Sequence, residues 1–200
     1  MGMEKRKQKK EVRTELLQVG LRLFAENGYN GTGIKRIVDE VGVPKGSFYN
    51  YFKSKEDFTV EIIQFYSDTL STLWDGFLKE GPPDPIEALR NSFEMIICHH
   101  EQSEIKAGCL IGNLAAEISE VSDLCRLKMH HATLVWKDRV LDHIKQGQAT
   151  GIIRDDISAD ALTEFIWNAW EGALLNMKIV NSSAPVKECI SLLFDFFLKP

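Results

Sequence analysis

Apolar residues in this 200-residue chain recur every three or four positions along almost its whole length, and no run alternates as a half-buried strand does. That period belongs to helices with one buried face, so the expected fold class is all-α. Leu16, Leu17, Val19, Gly20, Leu23 and Phe24 form the stripe of a first helix. Glu26-Asn27-Gly28 stops it, because Asn and Gly tolerate a left-handed cap. Residues 30–33 read as a loop. Ile34, Ile37, Val38 and Val41 mark a short second helix that ends at Gly42. Pro44 opens the next turn, and a third short helix is expected at about Gly46–Phe52. Ser54 suits the N-cap of a long fourth helix, with Asp57 in its first turn, running to the breaker Gly81-Pro82-Pro83. Asp84 and Pro85 start another helix over 85–101, and residues 102–108 read as a polar loop. Two or three helices are expected between 109 and 150. Helices at about 159–181 and 186–198 close the chain.

Charge divides the chain unevenly. Residues 1–55 carry 12 Lys/Arg against 6 Asp/Glu, and residues 56–200 carry 12 against 23. A basic head thus sits on an acidic body, although the net charge of −5 alone would argue against nucleic acid. The 44% apolar content is enough for a buried core and excludes wholesale disorder. No apolar run reaches the roughly 20 residues of a membrane span, and the charged N-terminus is no secretory signal. A cytoplasmic location is therefore expected, with no membrane partner. The four cysteines, Cys98, Cys109, Cys125 and Cys189, form no C-x-x-C pair and read as reduced thiols.

The stretch from Gly33 to Lys55, GIKRIVDEVGVPKGSFYNYFKSK, carries the functional signal. Ile34, Ile37, Val38 and Val41 give one helix a buried face, Gly42-Val43-Pro44 is a tight turn, and Phe48 and Phe52 bury the next helix. The opposite face shows Lys45, Ser47, Tyr49, Asn50 and Tyr51, and no acid occurs between Glu40 and Glu56. A helix of this size fits the major groove, with its N-terminal residues toward base edges. Gly46 lets backbone approach DNA closely, and Tyr hydroxyls and Lys ammonium groups suit phosphate oxygens. An ordinary helix pair with a solvated basic face is the plainer reading, and the local charge argues against it.

Residues 10–60 resemble the DNA-binding domain of the tetracycline-repressor family. Leu23-Phe24-Ala25-Glu26-Asn27-Gly28-Tyr29 is similar to the end of that family's first helix, and Thr32–Val41 to its second. Val43 through Lys55, VPKGSFYNYFKSK, is close to a family consensus. The resemblance implies a basic N-terminal tail over 1–9, a DNA-binding domain over 10–56 with its helix-turn-helix at about 33–52, and a ligand-binding and dimerisation domain over 57–200. It implies that Lys35 reaches DNA from the second helix, that Lys45, Gly46 and Ser47 read bases, and that Tyr49, Tyr51 and Lys55 touch phosphates, with Asn50 of variable role. Double-stranded DNA with a palindromic operator, a small-molecule inducer and a second copy of the chain are the partners it implies.

Past residue 60 the chain is read on its own terms. The last two helices are rich in large apolar residues, from Phe165 to Leu175 and from Ile190 to Phe197, which suits a core or a subunit interface. The resemblance places a four-helix dimer bundle there. Phe65, Trp74, Met95, Trp136, Trp170 and Met177 are candidates to line an inducer pocket, although such residues also build cores. Cys109 follows a polar stretch at an apparent helix start, where a thiol gains thiolate character. Lys178 sits in an otherwise apolar helical run and needs a partner, or a route to water. Gly108-Cys109-Leu110, Ala116-Glu117 and Lys178 together resemble the branch of the family that contains the N-ethylmaleimide reductase repressor. That likeness implies a covalent or redox sensor at Cys109. The His99-His100 and His130-His131 pairs lack metal-ligand spacing, and neither a metal nor a cofactor is expected. Two other functions compete with an inducible repressor: an enzyme using the Cys109 thiolate, for which no ordered base and orienting group are evident, and a DNA-binding regulator with no ligand.

Overall fold

The computed structural model describes residues 2–102 and 108–200, so the expected loop at 102–108 falls largely outside the described residues. The described residues are helical throughout, with no strand among them. The chain forms two compact units. One comprises residues 1–68 with 110–132, and the other residues 69–109 with 133–200.

The first unit begins with α1 (Gly2–Asn27), which takes up the basic tail as its opening turns. Lys, Arg, Gln and Glu are good helix formers, so this segment continues the helix. Gly28 follows with φ +73°, its N–H bonded to the Phe24 carbonyl at 3.0 Å, as the Asn-Gly signal predicts. Helices α2 (Ile34–Val41) and α3 (Lys45–Phe48) come next, separated by Gly42 at φ 74°. Helix α3 is shorter than expected. Beyond Phe48 the backbone tightens into turns, with Asn50 N–H to Ser47 O at 3.1 Å and Tyr51 N–H to Phe48 O at 3.0 Å. The expected Phe pair nevertheless survives, because Phe52 N–H still reaches the Phe48 carbonyl at 3.0 Å.

Helix α4 (Lys55–Glu80) starts at the predicted cap. Ser54 Oγ accepts from Asp57 N–H at 3.0 Å, and the Asp57 carboxylate accepts from Lys53 N–H at 3.0 Å. Phe58 is the hub of this unit, with the rings of Phe24, Phe48 and Phe52 at 6.0, 5.2 and 4.7 Å. Helix α6 (Leu110–Ile118) and the first turns of α7 (Asp123–Ala149) complete the unit. The compact unit that contains the expected segment 10–56 runs on to residue 68 and also recruits residues 110–132 from far downstream.

The second unit holds the rest of α4 and α7, α5 (Pro85–Gln102), α8 (Ala159–Val180) and α9 (Ala184–Leu192). Asp84 caps α5 by accepting from Ile86 and Glu87 N–H at 3.0 and 2.9 Å, and Ser158 caps α8. The expected final helix divides: α9 ends at Leu192 and a π-helical turn, Leu193–Phe197, follows. Its widened Leu198 N–H to Leu193 O bond of 2.9 Å lets Leu193, Phe194 and Leu198 all bury, while Arg90 grips Asp195 at 2.6 Å. The core runs from Trp74 through Leu89, Phe93, Val140, Ile144, Leu162, Ile166, Trp170 and Leu174 to Ile190 and Phe194.

Candidate DNA interface and sensor site

Helix α3 is held from below by rings. Phe48 and Phe52 are buried against Phe58, and that fixes which face is left over. Lys45, Gly46, Tyr49 and Asn50 are exposed on that face, with Tyr49 at 53%. A Cβ at Gly46 would meet nothing within 4 Å, so an external surface could come close there. Ser47 and Tyr51 are half-buried, and Lys9 of α1 sits 5.7 Å above the Tyr51 ring. Lys35 projects from α2, its ammonium 2.5 Å from Asp39. Arg36 is a further exposed cation on α2 that the sequence reading passed over, 3.7 Å from Glu40. Arg22 of α1 bonds both Glu26 and Glu40 and so ties α1 to α2.

Lys55 is placed differently from its neighbours. Its ammonium donates to the Tyr29 carbonyl at 2.5 Å and lies 4.0 Å from the Tyr29 ring centroid. Burial lowers its pKa, against the pull of Glu117. In this arrangement Lys55 braces the loop between α1 and α2 rather than projecting outward.

Glu117 of α6 completes that brace. Its two carboxylate oxygens accept from consecutive backbone amides, Tyr29 N–H at 3.1 Å and Asn30 N–H at 2.8 Å. Gly28 makes room for it, because a Cβ there would fall 2.1 Å from Glu117 Oε1. The sequence singles out Ala116-Glu117 only through family likeness; nothing in the local pattern marks Glu117 as a partner of residues 88 positions earlier.

Helix α6 begins one residue after Cys109, so that thiol stands at the helix start the sequence predicts. All four cysteines are free thiols, and Cys109 is half-buried. Burial raises the pKa of Glu171 on α8, and the Cys109 thiol opposes that rise. Lys178, the sensor candidate on α8, is exposed, and its aliphatic chain lies where a Cβ on Gly108 would approach it at 3.1 Å. Of the pocket candidates, Trp74, Trp136 and Trp170 converge on Phe93, with ring centroids 5.4, 5.8 and 5.0 Å from it. Met177 is buried in the same core, Met95 stands exposed outside it, and Phe65 belongs to the other compact unit. Burial pushes the thiols of Cys125 and Cys189 up. Among the described residues no cluster of His, Cys, Asp or Glu could hold a metal ion.

A one-turn helix offered on an aromatic base, in a chain whose remainder is also helical, defines a helix-turn-helix regulator of transcription. Residues 16–62 match the family described as bacterial regulatory proteins, tetR family, and residues 85–193 match the tetracyclin repressor-like C-terminal domain. The chain is 36% identical to the transcriptional repressor DhaR of Mycobacterium sp. strain GP1, over 94% of this chain and 92% of that one. It is 23% identical to the repressor NemR of Escherichia coli K12, over 95% and 96%. A crystal structure of a regulatory protein TetR from Rhodobacter sphaeroides superposes with a TM-score of 0.82 at 31% identity, over 90% of this chain and 95% of that one. The protein belongs to the tetR family and is a DNA-binding transcriptional regulator, not an enzyme. Its fold is the family's helix-turn-helix domain joined to a C-terminal helical domain.

Proposed function

We propose that the protein is a homodimeric repressor that holds a palindromic operator and leaves it when a reactive electrophile modifies Cys109. The DNA contacts are Lys45, Gly46 and Ser47 at base edges, Lys35, Tyr49 and Tyr51 at phosphates, Asn50 at the margin, and Lys55 once its loop opens. The observation that carries this reading is α3 itself, whose uncovered face bears Lys45, Gly46, Tyr49 and Asn50 and no acid. Family membership supports it, and the relatives DhaR and NemR are both named as repressors.

Dimerisation runs through α8, α9 and the turn after it. Phe165, Leu175, Ile179, Leu192 and Phe196 are exposed there, Ile179 at 74% and Phe196 at 72%. A groove of about 470 Å³ lined by Phe165, Gly172, Ala173, Cys189, Leu192 and Phe197 lies on the same elements. An apolar face of this kind needs a cover, and a two-fold copy supplies one while placing two heads on a palindrome. Release requires that the modified protein prefer the state that does not bind DNA. No described helix is long and apolar enough to cross a membrane, and the DNA partner sets the working location in the cytoplasm.

The test is a gel shift of the full-length protein on its own promoter region at moderate salt. Wild type shifts the duplex, Lys45→Ala and Tyr49→Ala do not, and an electrophile releases wild type but not Cys109→Ser. Indifference of wild type to the promoter sinks the repressor reading. Equal release of the Cys109→Ser variant sinks the sensor and leaves the repressor.

A further inference from the structure

Both ends of the helix-turn-helix are tied to chain that lies far downstream. In front of α2, the loop after α1 offers two consecutive amides, Tyr29 and Asn30, to the two oxygens of Glu117 at 3.1 and 2.8 Å. Behind α3, Glu56 in the first turn of α4 accepts from the hydroxyl of Ser122, the residue before α7 begins. Further along α7, Lys128 donates to Gln64 of α4. The corner that supplies these groups is itself fixed. Leu114 and Ile118 of α6 and Cys125 and Met129 of α7 are buried, and Ser122 Oγ caps α7 by accepting from Cys125 N–H at 3.1 Å. Residues 110–132 belong to the same compact unit as residues 1–68.

We propose that Glu117 is a positioning residue for DNA recognition. With Ser122 it holds the two ends of the helix-turn-helix in the arrangement in which α2 and α3 fit a groove, and it does so without touching DNA. The segment it steadies needs such help. Helices α2 and α3 have 8 and 4 residues, and helices this short do not hold themselves in water. Phe48 and Phe52 fix α3 from below, but the loop before α2 has no ring of that kind to seat it except Tyr29, which lies against Phe24 at 5.9 Å.

Two arguments favour positioning over a surface acid that happens to find donors. A carboxylate on two consecutive amides sets the orientation of the loop as well as its place, which one bond or a water does not. The loop is also shaped for it, since Gly28 at φ +73° leaves the space in which a Cβ would fall 2.1 Å from Glu117 Oε1. The second argument is charge. An acid in the unit that binds DNA opposes attraction to phosphates, so what Glu117 contributes to binding must be arrangement. Because it holds the amide side of the loop, Lys55 can leave the Tyr29 carbonyl for a phosphate while the loop keeps its anchor.

The experiment titrates the full-length protein onto two duplexes: the sequence that wild type enriches most from a random pool, and a scrambled version of it. Glu117→Gln removes a negative charge and weakens the grip on the two amides. If the acid acted only through its charge, both duplexes would be bound as tightly as before or more tightly. Positioning predicts a loss on the selected duplex alone. A head that spends only about a tenth of its time in the competent arrangement binds that duplex roughly 10-fold more weakly. Binding to the scrambled duplex, which depends on charge rather than fit, is expected not to weaken. Circular dichroism at the assay temperature checks that the variant is folded. Wild-type or tighter binding of the selected duplex overturns the proposal, and so does an equal loss on both duplexes. If Glu117→Gln does not fold, Ser122→Ala decides, because it loosens the tie behind α3 with no change of charge. The same selective loss is expected of it, and either wild-type binding of both duplexes or an equal loss on both overturns the proposal.

Discussion

Replacing Gly28 with alanine would place a methyl carbon 2.1 Å from Glu117 Oε1 and 2.9 Å from its carboxyl carbon, at a residue with φ +73°. Two costs follow and can be separated. The left-handed backbone costs an L-residue with a Cβ about 1–2 kcal/mol wherever it occurs. The displaced carboxylate loses its bonds to Tyr29 and Asn30 N–H, and for a half-buried acid with charge-assisted bonds this adds roughly 1–2 kcal/mol. Gly28→Ala should therefore destabilise the protein by about 2–4 kcal/mol in urea unfolding. In a Glu117→Ala background the same change should cost only the backbone part, about 1–2 kcal/mol. The coupling between the two positions, about 1–2 kcal/mol, is the quantity a double-mutant cycle reads. Strictly additive costs would refute the claim that Gly28 is there to admit Glu117. A gel shift on the same four proteins asks whether this brace also sets DNA affinity, since α1, α2 and α6 meet at that loop.

Gly20→Ala should destabilise by about 1–3 kcal/mol, because a Cβ there would overlap the Phe58 ring at 2.3 and 2.6 Å; unchanged urea unfolding would contradict the packing at this hub. Lys45→Ala should leave thermal unfolding unchanged and weaken binding to the operator more than to unrelated duplex, as the loss of a base contact does; an equal loss on both duplexes would assign Lys45 to phosphates. Burial raises the Glu171 pKa, so between its unfolded and folded pKa the folded form holds a proton that the unfolded form has lost. It therefore stabilises at low pH and loses that contribution as pH rises through its folded pKa. Glu171→Gln should raise the melting temperature at about pH 8 more than at about pH 5, and a uniform change would argue that the carboxylate is solvated.

Much of the architecture is legible because its signals are local. Gly42 and Pro44 delimit α2 and α3, and Ser54, Asp84 and Ser158 begin helices through bonds to amides two or three residues away. The expected face of α3 emerges because Phe48, with Phe52 just beyond the helix, must point inward. The length of α3 is less legible, since the tightening into turns after Phe48 depends on how its rings settle on Phe58. The π-helical turn at 193–197 is likewise set by the core it closes, not by propensity.

The sequence by itself determined an all-α regulator with a basic helix-turn-helix head, because helical periodicity, caps and charge act over a few residues. Tertiary structure alone decided which distant groups meet. Glu117 grips the loop after α1, and Arg90 reaches Asp195 from 105 positions away. A carboxylate looks the same in sequence whether water or a buried amide satisfies it. Only the packed chain removes the water, and with it leaves Lys55 on the Tyr29 carbonyl and one Glu171 oxygen without a partner.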